Sequence, residues 1–395
     1  MRHIDWVVAG ALAIALAGGG TAVAAPCADL PNPIYGLGGS ASKPMLAKVS
    51  AGLAALPAPN TATIVFQAPG ACLGIYALLN NTTITGTASY WDATGIEKTC
   101  DLPQGGQVLD FANMANSAAL CPLAPTPLPD DIGDYEGSVN TVNLIVPLAS
   151  SQTTISAAAA YFVFGFGAGG RAAPWDLDTE ITIRDQNSAV QQLLALAINV
   201  PASKFAYGAN GASQSGVITR VSTSANPERA IGFVSGEAAD AARGQVRTLA
   251  YQHYGQQCGY LPDTTATAFD KKHVREGRYF LWTPQHFFAK KNPATGQIVS
   301  ERARRLIGYF TGDVPLPAGF ERLRYEIEAG TIPRCAMRVW REGDLGKISK
   351  YTPPRSCGAY FESLTGGTTA TACPSGPSDC PASAPACNFG YCEVQ

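Results

Sequence analysis

Charge is scarce in this chain. Asp, Glu, Lys and Arg make up 15% of its 395 residues, against roughly 25% in a typical soluble protein. The net charge at pH 7 is −2. With no basic excess, neither nucleic acid nor an anionic membrane surface is an expected partner. Histidine is scarcer still, at four residues, one of them His3. No two histidines stand at i, i+4 and no Cys-x-x-Cys occurs, so the usual metal-ligand spacings are missing and no metal or other cofactor is expected. No glycine-rich loop ends in Gly-Lys-Ser/Thr and none is a full dinucleotide fingerprint, which removes the two commonest phosphate-cradling motifs. Beyond the first 25 residues no apolar run is long enough to span a bilayer, and the run from Ser156 to Gly167 is far too short.

What is present begins with an export signal. Arg2 supplies the positive start, Trp6 to Ala17 the apolar run, and Ala22-Val23-Ala24 the small-residue cleavage site. Cleavage leaves a mature chain from about Ala25, and Pro26-Cys27 is a poor lipidation box. A periplasmic or secreted protein is expected. Eleven cysteines in such a chain read first as disulfides. Cys100 and Cys121 flank one polar loop, Cys335 and Cys357 another, and Cys373, Cys380, Cys387 and Cys392 crowd the end. Cys27, Cys72 and Cys258 are left over. The odd count means a free thiol or a bond to another chain, and the pairing stays open. The length exceeds one small core, so two lobes or domains are expected.

Strand, small-residue loop and helix recur three times. Ile34 to Leu37 is a strand, Gly38-Gly39-Ser40-Ala41-Ser42-Lys43-Pro44 the loop, and Leu46, Val49, Leu53 and Leu56 follow at helical spacing. Thr61 to Phe66 leads through Gln67-Ala68-Pro69-Gly70-Ala71-Cys72-Leu73-Gly74 to a helix with Ile75, Leu78 and Leu79. Ile181-Thr182-Ile183 leads through Arg184-Asp185-Gln186-Asn187-Ser188 to a helix carrying Val190, Leu193, Leu194 and Ala197. Ser188 is the expected N-cap, with Gln191 completing a capping box. An α/β fold gathers such loops at the carboxyl edge of its sheet, where ligands bind. Free N–H groups at a helix start, a hydroxyl and the guanidinium of Arg184 are the parts of an oxyanion site.

Elsewhere the pattern predicts strands at Val142 to Val146, Ile231 to Val234 and Val246 to Tyr251, and helices at Ser156 to Phe166, Arg302 to Phe310 and Phe320 to Glu328. Ser213 to Val221 is mixed. From Gly366 the chain is rich in Thr, Ser, Pro and Cys, and residues 372–395 read as a small disulfide-stapled tail.

With these pieces in order, residues 33–330 resemble the periplasmic phosphate-binding proteins of ABC transporters, the type II "Venus flytrap" family. The first loop resembles the family's Gly-x-Gly-Ala-Thr-x-Pro, with Ser42 at the ligand-binding Thr and the N–H of Lys43 following. Phe66-Gln67-x-x-Gly70-x-x-x-Gly74 is similar to its second loop, and Asp110-Phe111 opens what looks like the third. Arg184 to Val190 matches its Arg-Ser-Asp-Gly-Ser-Gly-Thr in length and keeps the Arg and the first of the two closing hydroxyls. Ala230-Ile231-Gly232-Phe233-Val234 resembles the strand that returns the chain to the first lobe. The resemblance implies an α/β, two-lobe fold, with lobe 1 at 26–140 and 235–365, lobe 2 at 141–234, and a Cys-rich tail at 366–395. It places Ser40, Ser42, Lys43, Gly70, Ala71, Arg184, Ser188 and Ala189 around a small anion. It implies phosphate or another oxyanion as ligand, ABC permease subunits as partners, and a monomer.

The departures bear on the ligand. Ala71 stands where the family has a ligand-binding Ser, and Val190 where it has Thr. The third loop lacks the Asp that accepts the proton of hydrogenphosphate; the position is Ala115, Asn116 or Ser117 depending on register. A carboxylate only accepts, so its loss removes discrimination between protonated and fully ionised oxyanions.

Three functions follow. The first is an exported solute-binding protein for ABC-type uptake. The second keeps the fold as a secreted or surface binding module with no transport role. The third is a serine hydrolase, from Gly211-Ala212-Ser213-Gln214-Ser215-Gly216, a near miss to the nucleophile elbow. Its triad would run Ser213, then Asp263 or Asp270, then His273 or His286.

Overall fold

The computed structural model describes residues 25–206, 209–211 and 213–394. The expected export signal, residues 1–25, lies outside the described residues apart from Ala25.

β1 (Pro33–Gly38) runs through a 3₁₀ turn, Ser40–Ser42, into α1 (Lys43–Ala54). Pro44 sits in the first turn of α1, where its missing N–H leaves no gap. Met45, Leu46, Val49 and Leu53 form the buried stripe of that helix. β2 (Thr63–Gln67) and α2 (Ala71–Leu79) repeat the unit, followed by the hairpin β3 (Thr87–Trp91) and β4 (Glu97–Asp101), then β5 (Phe111–Met114). β6 (Ile132–Pro147) is 16 residues long. After it come β7 (Thr154–Ser156), α3 (Ala157–Phe166), β8 (Thr182–Ile183), α4 (Ala189–Ile198), β9 (Ala209–Asn210), α5 (Gln214–Ser222), β10 (Gly232–Ser235), α6 (Gly236–Ala241), β11 (Val246–Thr248), β12 (Ala250–Gln252), α7 (Lys272–Arg275), β13 (Trp282–Lys290), α8 (Glu301–Thr311), α9 (Arg322–Glu328) and α10 (Gly358–Leu364).

The main sheet runs β10-β6-β13-β5-β1-β2-β3-β4, with β11 also on β6. β1 lies between β2 and β5 and is parallel to both. Helices cover both faces of the sheet, so Ile34, Tyr35 and Leu37 are all buried. On one face Phe66, Phe111 and Phe287 pack with α1 and α8; on the other the core runs through α2, α3 and α4. β6 ties the two ends of the molecule together. Its first half pairs with β13 and its second half with β10 and β11. Residues 140 and 235, where the resemblance has the chain cross between lobes, fall mid-β6 and at the end of β10.

One expectation is corrected, and three open points are settled. Val246 to Tyr251 is two strands, because β11 joins β6 whereas β12 pairs with β7. The mixed stretch Ser213 to Val221 is a helix, α5. β13, at the middle of the sheet, has no counterpart in the sequence pattern. Lastly, Cys100 bonds Cys27 and Cys121 bonds Cys72, so the two cysteines flanking one polar loop are not partners. Pro26 bridges to Asp101, which brings Cys27 beside Cys100. Cys335–Cys357, Cys373–Cys387 and Cys380–Cys392 complete the set, and Cys258 is a free, exposed thiol. The tail is thus stapled twice. No helix among the described residues is long and apolar enough to cross a membrane.

Candidate functional site

Three helices start at one place. A Cβ on Gly39 would lie 3.2 Å from Ala71 Cβ, and one on Gly70 would lie 3.5 Å from Asn187 Cβ. Gly70 N donates to Gly38 O (3.3 Å) and Cys72 N to Asn187 O (3.4 Å). The loops before α1, α2 and α4 therefore touch one another. None of the three has a side-chain cap, whereas Ser156, Ser213 and Ser300 cap α3, α5 and α8. The expected capping box does not form. Ser188 is the N-cap residue without a side-chain cap bond, because Gln191 turns away to donate to Ala202 O (2.8 Å). The positive ends of three helix dipoles lie close together, without side-chain caps among the described residues.

Arg184 enters this junction buried, at 6% exposure. Its Nη2 donates to Ser40 Oγ (3.1 Å) across 144 residues of chain. Burial pulls its pKa down to about 10, partly opposed by Asp185, so it is still a cation at pH 7. Ser42 is fully buried and its Oγ has no hydrogen-bond partner among the described residues. A buried hydroxyl without a partner costs free energy, which a bound acceptor would recover. Ser188 and Ala189 are buried at the start of α4, as Ala71 is at the start of α2.

Two of the expected donors are turned elsewhere. Lys43 N bonds Ser40 O within the 3₁₀ turn, and its Nζ pairs with Glu97 at 2.5 Å. Gly70 N is committed to Gly38, as above. Lys43 and Gly70 therefore shape the junction without offering these N–H groups to a ligand.

Gln192 and Asn116 hold the loops together. Gln192 Nε2 donates to Gln186 O (3.0 Å) and to Cys72 Sγ (3.1 Å). Asn116 Nδ2 donates to Gln192 Oε1 (3.3 Å) and Ala189 O (3.4 Å). The Cys72–Cys121 bond fastens α2 to the segment after the third loop. Of the three candidates for the missing acid, Ala115 is apolar and Ser117 is bound to Asp344 through N (3.0 Å) and Oγ (2.5 Å). Asn116 hydrogen-bonds α4, and its Oδ1 is buried without a partner among the described residues. Ala115, Ala189, Val190 and Leu193 help to line a cavity of about 10 Å³, room for roughly one water molecule. Gln192 carries no local signal in the sequence; a glutamine on an amphipathic helix reads as solvent-facing.

The serine of the elbow-like motif caps its own helix. Ser213 Oγ accepts from Gly216 N (3.0 Å) and meets Ser215 Oγ at 2.9 Å. His273 Nδ1 faces Leu261 O (3.0 Å) and His286 Nδ1 faces Asp134 (2.6 Å). Asp263 is held by Lys271 and Arg243, and Asp270 by Thr264. No hydrogen bond joins Ser213 to either histidine among the described residues, so the expected triad is not assembled.

No family model matches the sequence, and no curated protein matches it. Solved structures resemble it. One is a putative phosphate ABC transporter substrate-binding protein from Clostridium perfringens, solved with bound phosphate; it is 12% identical, covers 76% of this chain and 99% of its own, and superposes with a TM-score of 0.54. An ABC-type phosphate transport receptor from Vibrio cholerae is 13% identical over 76% of this chain and 99% of its own, with a TM-score of 0.48. At this identity the likeness to the first of them establishes the fold alone. The chain has an α/β periplasmic-binding-protein fold followed by a disulfide-rich tail.

Proposed function

We propose that this protein is an exported solute-binding protein that encloses a small oxyanion between two lobes. The observation that carries the reading is the junction itself. A buried guanidinium bonded to Ser40, a Ser42 Oγ with no hydrogen-bond partner among the described residues, and three helix starts without side-chain caps lie on loops that touch one another. The buried guanidinium is a cation at pH 7 with planar N–H donors, which suits an oxyanion beside it. Charge-assisted hydrogen bonds to such an anion contribute roughly 1.5–3 kcal/mol each. Arg184 supplies charge, Ser40 and Ser42 supply hydroxyls, and the first turns of α2 and α4 supply N–H groups. The lobes, residues 26–140 with 235–365 and residues 141–234, part by hinging at β6 and β10. Phosphate is the first ligand to test, export follows from the signal-like start, and ABC permease subunits are the partners that would read the closed form.

The decisive experiment is calorimetric titration of residues 25–395 with phosphate, sulfate and a phosphonate, alongside Arg184→Ala. Saturable oxyanion binding that is lost in the mutant is expected. Unchanged affinity in a folded Arg184→Ala protein would remove the junction from the account.

A second reading is favoured by one observation. Ala71 is buried at the start of α2, and Ala115 and Val190 help to line a cavity of about 10 Å³ beside α4, where the family resemblance implies hydroxyls or an acid. On that reading the fold serves as a secreted binding module without transport. Absence of heat with every oxyanion tested selects it.

A further inference from the structure

A groove of about 1060 Å³ runs between α1, α6, α9 and α10, and neither Ser40, Ser42, Arg184 nor Ser188 lines it. Its walls are apolar. Ala51 of α1 and Ala238 of α6 face Phe269, Phe361 and Leu364. A groove of this size and lining, with a few polar groups, is the usual form of a small-molecule site.

The polar group at its floor is Glu237. It is 3% exposed. Oε1 accepts from Asn140 Nδ2 (2.8 Å), and Oε2 is buried with no hydrogen-bond partner among the described residues. The charges nearest to it are already matched with one another. Lys271 lies 2.7 Å from Asp240 and 3.0 Å from Asp263, and Arg243 lies 2.6 Å and 2.7 Å from the same two carboxylates. At the rim Lys48 is paired with Glu328 at 3.5 Å. Besides Asn140 of β6, Glu237 meets Ser235 of β10 and Asp240 of its own helix. Burial raises its pKa to about 8, and the charge on Asp240 pushes the same way.

We propose that this groove binds a primary alkylamine, its ammonium paired with the Glu237 carboxylate and its alkyl stem laid along the alanine-lined wall. A buried carboxyl without a cation stays protonated. An arriving ammonium supplies the missing charge and takes the free Oε2 in a charge-assisted hydrogen bond. The carboxyl proton leaves to solvent, so binding releases one proton as it forms the ion pair. Among the described residues the cations lining the groove, Lys48 and Lys271, are already paired, so an alkyl carboxylate finds no counter-charge. A neutral amide offers no charge to compensate.

The test is calorimetric titration of the mature chain with hexylamine and with hexanamide at pH 7, in two buffers of different ionisation enthalpy. The expected result is saturable hexylamine binding with a buffer-dependent heat, at least tenfold weakened in Glu237→Gln, and no binding of hexanamide. Gln reproduces the protonated acid in shape, so the variant should melt with the parent. Ala51→Leu, which fills the groove without touching the carboxyl, should abolish binding independently. Absence of hexylamine binding, equal affinity in Glu237→Gln, heats that do not depend on buffer, or equal binding of hexanamide would each overturn the proposal. Phosphate binding at the junction is unaffected by any of these outcomes.

Discussion

Ser42 and Arg184 sit at the same junction but differ in what their loss would do. Ser42 Oγ makes no hydrogen bond among the described residues, so Ser42→Ala should leave the denaturation midpoint nearly unchanged. If the hydroxyl meets the ligand, affinity falls by the roughly 1.5–3 kcal/mol of a charge-assisted bond, about tenfold or more by calorimetry. A stability loss without an affinity loss would make Ser42 structural. His286 makes a prediction about pH. Burial disfavours its imidazolium, but the 2.6 Å contact with Asp134 outweighs burial and raises the pKa. A raised histidine contributes stability that is complete below its ordinary value of about 6.5 and is lost as pH rises through the raised value. Urea midpoints should therefore fall between pH 6 and pH 9 by an increment that Asp134→Asn removes. An identical fall in both proteins would show that the pair carries no linkage.

Helix starts and loop staples divide structural caps from open ones. Ser300 Oγ accepts from Ala303 N (3.2 Å) at the start of α8. Ser300→Ala should cost about 1 kcal/mol of stability, the usual value of an N-cap. Ser188 has no such bond, so Ser188→Ala should cost little in a urea titration while weakening oxyanion binding. Equal destabilisation by the two substitutions would mean that α4 is capped after all. The Cys72–Cys121 bond, 49 residues apart, joins the second and third loops. Replacing both by Ala should cost about 2–4 kcal/mol and loosen the junction. Elements built from near neighbours were legible in the sequence: β1, α1, β2, α2 and α4 follow from two-residue and 3.6-residue periods. β13 was not, although it lies mid-sheet. Pro284, Gln285 and His286 interrupt its apolar pattern, and the register shift between Pro284 and His286 shows how the ladder takes them in.

At the scale of the whole molecule the proposed lobes meet at the oxyanion junction, and that contact offers a way to fix them. A Cβ on Gly70 would lie 3.5 Å from Asn187 Cβ, within the range of a disulfide. The double variant Gly70→Cys, Asn187→Cys should therefore oxidise readily and hold the protein closed. Anion exchange, followed by radiolabelled phosphate, should then be slowed and restored by mild reductant. Exchange at the parent rate in the oxidised form would argue against opening by lobe separation.

Local chemistry along the chain dictates the run of strands, small-residue loops and helices, the placing of Arg184 and Ser188 at the head of α4, and a disulfide-stapled tail. Each depends on contacts within a few residues, where side-chain period and backbone preference act directly. The folded chain alone decides which partners meet across long separations. It pairs Cys27 with Cys100 over 73 residues and Arg184 with Ser40 over 144. It sets Gln192 at the hub of the loops, turns the Lys43 N–H away from the site, and buries Glu237 beneath a groove of alanines. None of those contacts has a local signature, because hydrogen bonds and burial depend on distance in space, and distance along the chain does not determine it.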